Sequence, residues 1–228
     1  MKLHILGCGD AFGSGGRNNS GYLVEAEDRL FLLDCGPTTL VAMKRAGFDP
    51  RALDSVFLSH LHGDHFGGLP FFFLDALYAN PRAEPLVVAG PPGTEERSRA
   101  LFQLMFGDPA EPRELPPTRF RLLEPDREAG IEGIEVFPFR VPHQVREISL
   151  GLKIRFQGVH SEGVDLFLCE CCFFDRDAPN HMSYRQIVEN RIRLGCKRLI
   201  LTHLGEEMLA RSGELDVEIA EDGMVVEI

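Results

Sequence analysis

The stretch Ser59-His60-Leu61-His62-Gly63-Asp64-His65 constrains this chain more than any other. An apolar, β-prone run, Ser55-Val56-Phe57-Leu58, precedes it. Gly67-Gly68, Pro70 and the apolar Phe71-Phe72-Phe73-Leu74 follow. The motif therefore lies where a buried strand ends and a helix is about to begin. In an extended chain, residues two apart share a side, so His60 and His62 reach one point. Past Gly63 the chain turns, and Asp64 and His65 face a second point close by. This concentration of imidazoles around one carboxylate suits borderline cations such as zinc. A solvated loop has no reason to gather ligands of this kind.

The sequence has 228 residues, enough for one large domain or two small ones, and for a substantial core. At 44% hydrophobic it reads as globular rather than disordered. The net charge of −11 repels nucleic acid and anionic membranes at long range, leaving phosphate binding to local basic patches. No apolar run is long enough to cross a bilayer and the N-terminus lacks a signal-peptide layout, so a cytoplasmic location is expected. The cysteines, Cys8, Cys35, Cys169, Cys171, Cys172 and Cys196, are accordingly expected to be reduced thiols.

In chain order, a short strand over Leu3–Leu6 leads into a glycine-rich turn, Gly7 to Gly13. Phe12 stands where a dinucleotide loop needs glycine, and no P-loop lysine is present, so a tight turn is the better reading. Gly21–Glu25 and Leu30–Leu33 predict a hairpin linked by Asp28-Arg29. Thr38–Ala46 predicts a helix stopped by Gly47. Leu86–Ala89 is a buried strand, and Thr94 is the expected cap of a helix reaching Phe106. Pro109–Pro117 is a surface loop by composition. Strands follow over Phe120–Leu122, Ile134–Phe137, Leu152–Phe156 and Val164–Leu168. A helix over Ser183–Leu194 ends at Gly195, and the strand Arg198–His203 terminates in a histidine. The C-terminal part predicts a hairpin, Val217–Ile219 with Met224–Val226, around Asp222-Gly223.

The motif H-x-H-x-D-H at a strand end, with distant His143 and His203, resembles the metallo-β-lactamase superfamily over nearly the whole chain. Arg17-Asn18-Asn19-Ser20, Asp34-Cys35-Gly36, Gly67-Gly68-Leu69-Pro70, Gly90-Pro91-Pro92-Gly93 and His181-Met182-Ser183 resemble its ribonuclease Z-like branch. The resemblance implies one domain over residues 1–228, an α+β, four-layer αββα sandwich of two mixed sheets flanked by helices. It implies two divalent metal ions at one edge, zinc first, with manganese or iron as alternatives. By position, His60, His62 and His143 would hold one ion and Asp64, His65 and His203 the other. Such ions make hydroxide available near neutral pH and clamp a phosphodiester. Asp64 and His181 would be catalytic, His181 as leaving-group proton donor or anion stabiliser; a plain loop histidine is the equal alternative. Asp34 and Glu170, each at a strand end, are candidates for orienting ligand imidazoles. His4 and His160 have no motif context. Cys169, Cys171 and Cys172 suggest a further metal, but Cys169 and Cys171 alternate with Glu170 as on a continuing strand, so core packing is the better reading.

The family's bridging aspartate has no match here, because Gly158-Val159-His160-Ser161-Glu162-Gly163 runs directly into Val164. Either a segment is missing between Gln157-Gly158 and His160-Ser161, or the chain lacks the bridge and holds one metal or none. The intact ligand positions elsewhere favour the first, and an intact mass matching 228 residues would exclude it. The expected activity is metal-dependent hydrolysis of a small phosphodiester, with RNA as a further substrate. Alternatives are hydrolysis of a thioester, lactone or sulfate ester, and a metal-poor binding scaffold. The short proline-rich region before His143 leaves no room for the long arm with which such nucleases grip transfer RNA. Arg185, Arg191 and Arg193 offer a phosphate contact or merely a solvated helix face. No membrane partner is expected, and a homodimer is compatible with this reading.

Overall fold

The computed structural model describes residues 1–108, 110–143, 146–156 and 163–228. Strands β1 (Lys2–Gly7), β2 (Gly21–Ala26) and β3 (Arg29–Leu33) lead to helix α1 (Thr39–Arg45) and β4 (Ser55–Phe57). Then come α2 (Gly63–Phe66), α3 (Leu69–Tyr78), β5 (Leu86–Gly90) and α4 (Thr94–Phe106). Strands β6 (Thr118–Leu122), β7 (Ala129–Ile131), β8 (Ile134–Val141), β9 (Ser149–Phe156) and β10 (Val164–Glu170) follow. The rest is α5 (Tyr184–Leu194), β11 (Cys196–Thr202), α6 (Glu206–Ala210), β12 (Glu218–Ile219) and β13 (Val225–Glu227).

Seven strands form one mixed sheet in the order β13-β1-β2-β3-β4-β5-β6, while β10-β11-β12 and β7-β8-β9 form smaller sheets. From β3 to β6 the large sheet is parallel. Parallel strands covered on both faces read as continuous apolar runs, and β5 is buried at every position. Alternation sends Val87 and Ala89 into one core, and Leu86 and Val88 into another. The first core joins the large sheet to Ile134, Val136, Leu150 and Ile200 of the smaller sheets. The second packs Met43, Phe73 and Phe102 of α1, α3 and α4 on the sheet's other face. In a third, Leu199 and Leu201 of β11 meet Ile187 of α5 and Met208 of α6, whereas Ile200 between them turns to the first core. The layers therefore run helix, sheet, sheet, helix, the αββα order expected from the resemblance.

Helix α5 begins at a capping box. The Gln186 amide donates to Ser183 Oγ at 3.4 Å, and the Ser183 amide donates to Gln186 Oε1 at 3.0 Å. Ser183 is wholly buried, so Ser183→Ala is expected to lower stability by about 1 kcal/mol. A lower urea midpoint at unchanged m-value checks it.

Two local expectations give way. Gly93, at φ 90, caps α4, and Thr94 Oγ1 instead donates to the Pro91 carbonyl at 2.7 Å. The C-terminal segments do not form a hairpin: β12 pairs in parallel with β11, and β13 antiparallel with β1, in different sheets. Gly223, at φ 84, makes the reversal that Asp222-Gly223 signals. Each arm's destination is set by tertiary packing, with Val217 in the third core and Val226 in the first. Among the described residues, no helix is long and apolar enough to cross a membrane.

Candidate metal centre

The histidine motif leaves the large sheet just past the end of β4, an interior strand between β3 and β5. Its neighbour β3 ends at Leu33, which pairs with Phe57, so Asp34 arrives beside the start of the motif. Asp34 is buried in the left-handed region at φ 57 and accepts from the Ser59 amide and Ser59 Oγ, both at 2.8 Å. Since the carboxylate only accepts, Ser59 Oγ spends its proton there. His60 Nδ1, 2.9 Å from that oxygen, must then donate to it, which leaves His60 Nε2 bare. His65 Nδ1 lies 2.8 Å from Asp34 Oδ2, so its Nε2 faces the site in the same way. Glycine permits this crowding: a Cβ on Gly36 would lie 2.5 Å from the Asp64 carbonyl oxygen, and one on Gly68 2.2 Å from that of Gly36.

His143, just past β8, and His203, just past β11, reach the same place. His62 Nδ1 stands 3.1 Å from both His60 Nε2 and His143 Nε2. His143 Nδ1 donates to the Asn180 carbonyl at 2.7 Å, so its Nε2 is also bare. Two bare nitrogens thus face one that carries at most a single proton, so at least one of the two contacts has no proton to share. A cation relieves that mismatch, so the donor set fits a metal. Asp64 Oδ2 lies 3.2 Å from both His65 Nε2 and His203 Nε2. One ligand atom from each of His60, His62 and His143 lies within 4.8 Å of the others, and the same holds for Asp64, His65 and His203. The two sets adjoin, with the His60 and His65 ring centroids 4.0 Å apart. His203 shares the left-handed backbone of Asp34, at φ 57, and is buried with its Nδ1 unpartnered among the described residues.

The electrostatics favour the ligating protonation state in the first set. Burial, then neighbouring imidazoles, hold His60 well below the usual histidine range; burial first and His143 next lower His62. His143 is lowered by burial against its bond to Asn180. Burial would raise Asp64, but hydrogen bonds from His203 and His65 overcome it and hold the carboxyl well below its usual range. Burial likewise opposes charge on His65, yet the Asp34 charge and hydrogen bond prevail and lift it to about 9. Burial, then the Glu170 charge, pushes the Cys172 thiol up to about 11.

His181 joins the cluster, with its ring centroid 5.1 Å from that of His143. Glu170 holds it by Oε1 to Nδ1 at 2.5 Å, while Oε2 accepts from the Met182 amide at 2.8 Å. Glu170 thus orients His181 rather than a member of either ligand set. Cys172 groups with His181 and His203, which for this one cysteine favours the further-metal reading over core packing. Cys169 and Cys171 are buried in the third core as expected. Arg185 and Arg191 pair with Asp177 and Asp216, and Arg193 with Asn190, which favours the solvated-face reading. His4 contacts Glu25 and the edge of Phe48, away from these groups. His160 and the segment 157–162, which lacks the family's bridging aspartate, lie outside the described residues. The sequence there is Gln-Gly-Val-His-Ser-Glu.

The family profile described as anti-Pycsar protein Apyc1 matches residues 1–217. The ribonuclease Z of Halorubrum lacusprofundi is 35% identical over 147 residues, covering 64% of this chain and 45% of that protein. The chain spans half or less of the length of the curated ribonuclease Z relatives it matches. Among solved structures, the metallo-β-lactamase fold protein YhfI of Bacillus subtilis superposes with a TM-score of 0.77 at 24% identity, covering 99% of both chains. The short form of human tRNase Z gives 0.73 at 22% identity, over 100% of this chain and 99% of that one. The likeness to these structures shows the metallo-β-lactamase fold.

Proposed function

The chain belongs to the family of the anti-Pycsar protein Apyc1, and we propose that it is a metal-dependent hydrolase acting on a small phosphodiester, with residues 1–228 as one domain. The observation that carries this reading is the convergence of two ligand sets from separate strand ends onto one rim. Relatives named ribonuclease Z support a phosphodiester as the substrate class. The acidic balance and the short stretch of sequence between α4 and β6 support a small substrate over a folded RNA.

In this reading His60, His62 and His143 hold one divalent cation, and Asp64, His65 and His203 a second. Nitrogen-rich sets suit zinc ahead of manganese or iron. When bound, such ions supply hydroxide near neutral pH and offset the charge of the phosphodiester. Asp34 and Ser59 keep His60 and His65 in the tautomers that expose Nε2. His181 donates a proton to the departing oxygen. Its hydrogen bond to Glu170, acting against burial, holds its pKa above the ordinary histidine value and so favours the charged, proton-donating form.

Glu170→Gln removes that support. His181 then loses its proton at lower pH, so the alkaline limb of the kcat profile is expected to move to lower pH. The maximum should fall by about tenfold, less than the roughly 10²–10⁴ that a general acid can supply. A limb that stays in place would show that His181 does not set it.

Metal content measured beside activity on bis-aryl phosphates, thioesters, lactones and sulfate esters tests the whole reading. Retained or acquired zinc with phosphodiester turnover is expected. Thioester, lactone or sulfate turnover without phosphodiester turnover would move the chain to the second hydrolase class. No metal retained or taken up would leave a binding scaffold.

A further inference from the structure

Cys172 has no part in the mechanism above, yet the fold holds its sulphur beside two residues that do. The Cys171 amide donates to the Thr202 carbonyl at 3.0 Å and the Gly205 amide to the Cys172 carbonyl at 3.3 Å, which ties the end of β10 to the end of β11. Cys172 Sγ and one nitrogen from each of His181 and His203 lie within 4.8 Å of one another. His181 has Nδ1 committed to Glu170, which leaves Nε2. His203 directs Nε2 to Asp64, while its buried Nδ1 has no hydrogen-bond partner among the described residues. His203 is only 7% exposed, so water does not satisfy that nitrogen in the way it would at the surface. Tetrahedral zinc keeps sulphur and nitrogen ligands roughly 3.5 Å apart, so the set needs to contract by no more than about 1.3 Å.

We propose that Cys172, His181 and His203 form a third cation set, one that takes a thiophilic ion such as zinc or cadmium and thereby suppresses the hydrolytic centre. The sulphur–metal bond forms as the thiol proton leaves to solvent. A thiolate with two imidazoles discriminates against magnesium and manganese, which prefer oxygen ligands. Filling this set draws His203 from Asp64 and His65, and occupies the nitrogen with which His181 would protonate the leaving group. The suppression rests on the phosphodiesterase reading; the sulphur ligation does not.

The test is cobalt titration of the full chain after chelation. Visible d–d bands should appear with the first cobalt bound, and a near-ultraviolet sulphur-to-cobalt charge-transfer band should grow as further cobalt is added. The charge-transfer band should persist in Asp64→Asn and in the less buried Cys196→Ser, and vanish in Cys172→Ser. Visible bands without charge transfer, or charge transfer that survives Cys172→Ser, would overturn the third set and leave the hydrolytic reading standing. No cobalt bands at all would overturn both. Should Cys172→Ser fail to fold, the cadmium NMR shift of the wild-type protein decides, because a sulphur ligand moves it far downfield of nitrogen and oxygen ligation. Excess zinc should suppress wild-type turnover on the order of 10²-fold, the scale of losing a general acid. Cys172→Ser, normalised to its own maximum, should escape that suppression; equal suppression in both would overturn the regulatory half.

Discussion

His62→Ala is expected to cut phosphodiester turnover on the order of 10³-fold, comparable with removing a group that stabilises the transition state electrostatically. The reason is geometric. His62 Nδ1 stands between His60 Nε2 and His143 Nε2, so its loss opens the middle of the first ligand set. The fold should scarcely notice. His62 is exposed, and exposed substitutions outside special features stay within about 0.5 kcal/mol. Kinetics on a phosphodiester, set beside melting of the chelated wild type and variant, separates the two effects. Undiminished turnover in a folded variant would count heavily against the assigned centre.

Asp34→Ala should damage both stability and metal binding. It strands the Ser59 amide, Ser59 Oγ and His65 Nδ1, three donors that all end on the Asp34 carboxylate. Leaving buried donors unpaired costs about 1–3 kcal/mol each, partly offset by water entering the gap, so a net loss of about 3 kcal/mol is expected. Zinc affinity should fall by about 10–100-fold, the usual scale for removing the partner that orients a ligand histidine. The pH dependence has a definite sign. In chelated wild-type protein, His65 is lifted to about 9 by the Asp34 charge and hydrogen bond, against burial. Its contribution is therefore complete below the unfolded value of about 6.5 and drains away as pH rises towards 9. Asp34→Ala leaves burial less opposed, so that decline should flatten. Denaturant melts of chelated wild type and variant across this window check it, and an unchanged slope would contradict the coupling.

The motif and most strands are legible in the sequence because they are local: alternation, glycine stops and the Ser183 cap all act within a few residues. What was not legible is long-range. The Asp34–Ser59–His60 relay depends on Leu33 pairing with Phe57, a register that no local pattern reveals. The C-terminal turn was visible, but its two arms answer to different cores. Cys172 reads as packing in the sequence because Cys169 and Cys171 alternate as strand residues should, whereas β10 stops at Glu170 and the period-two rule stops with it. The distant His143 and His203 were assigned by family resemblance alone, since nothing near them in the sequence marks a ligand.

His203 carries two liabilities that the chain would be more robust without: a left-handed backbone at a residue with a Cβ, and a buried ring nitrogen that bonds to nothing described. Glycine at this position would relieve both. Laboratory evolution for heat tolerance alone, run in chelator, should therefore discard this imidazole early and yield sturdier proteins that no longer work. Durability and turnover are set against each other at this one residue.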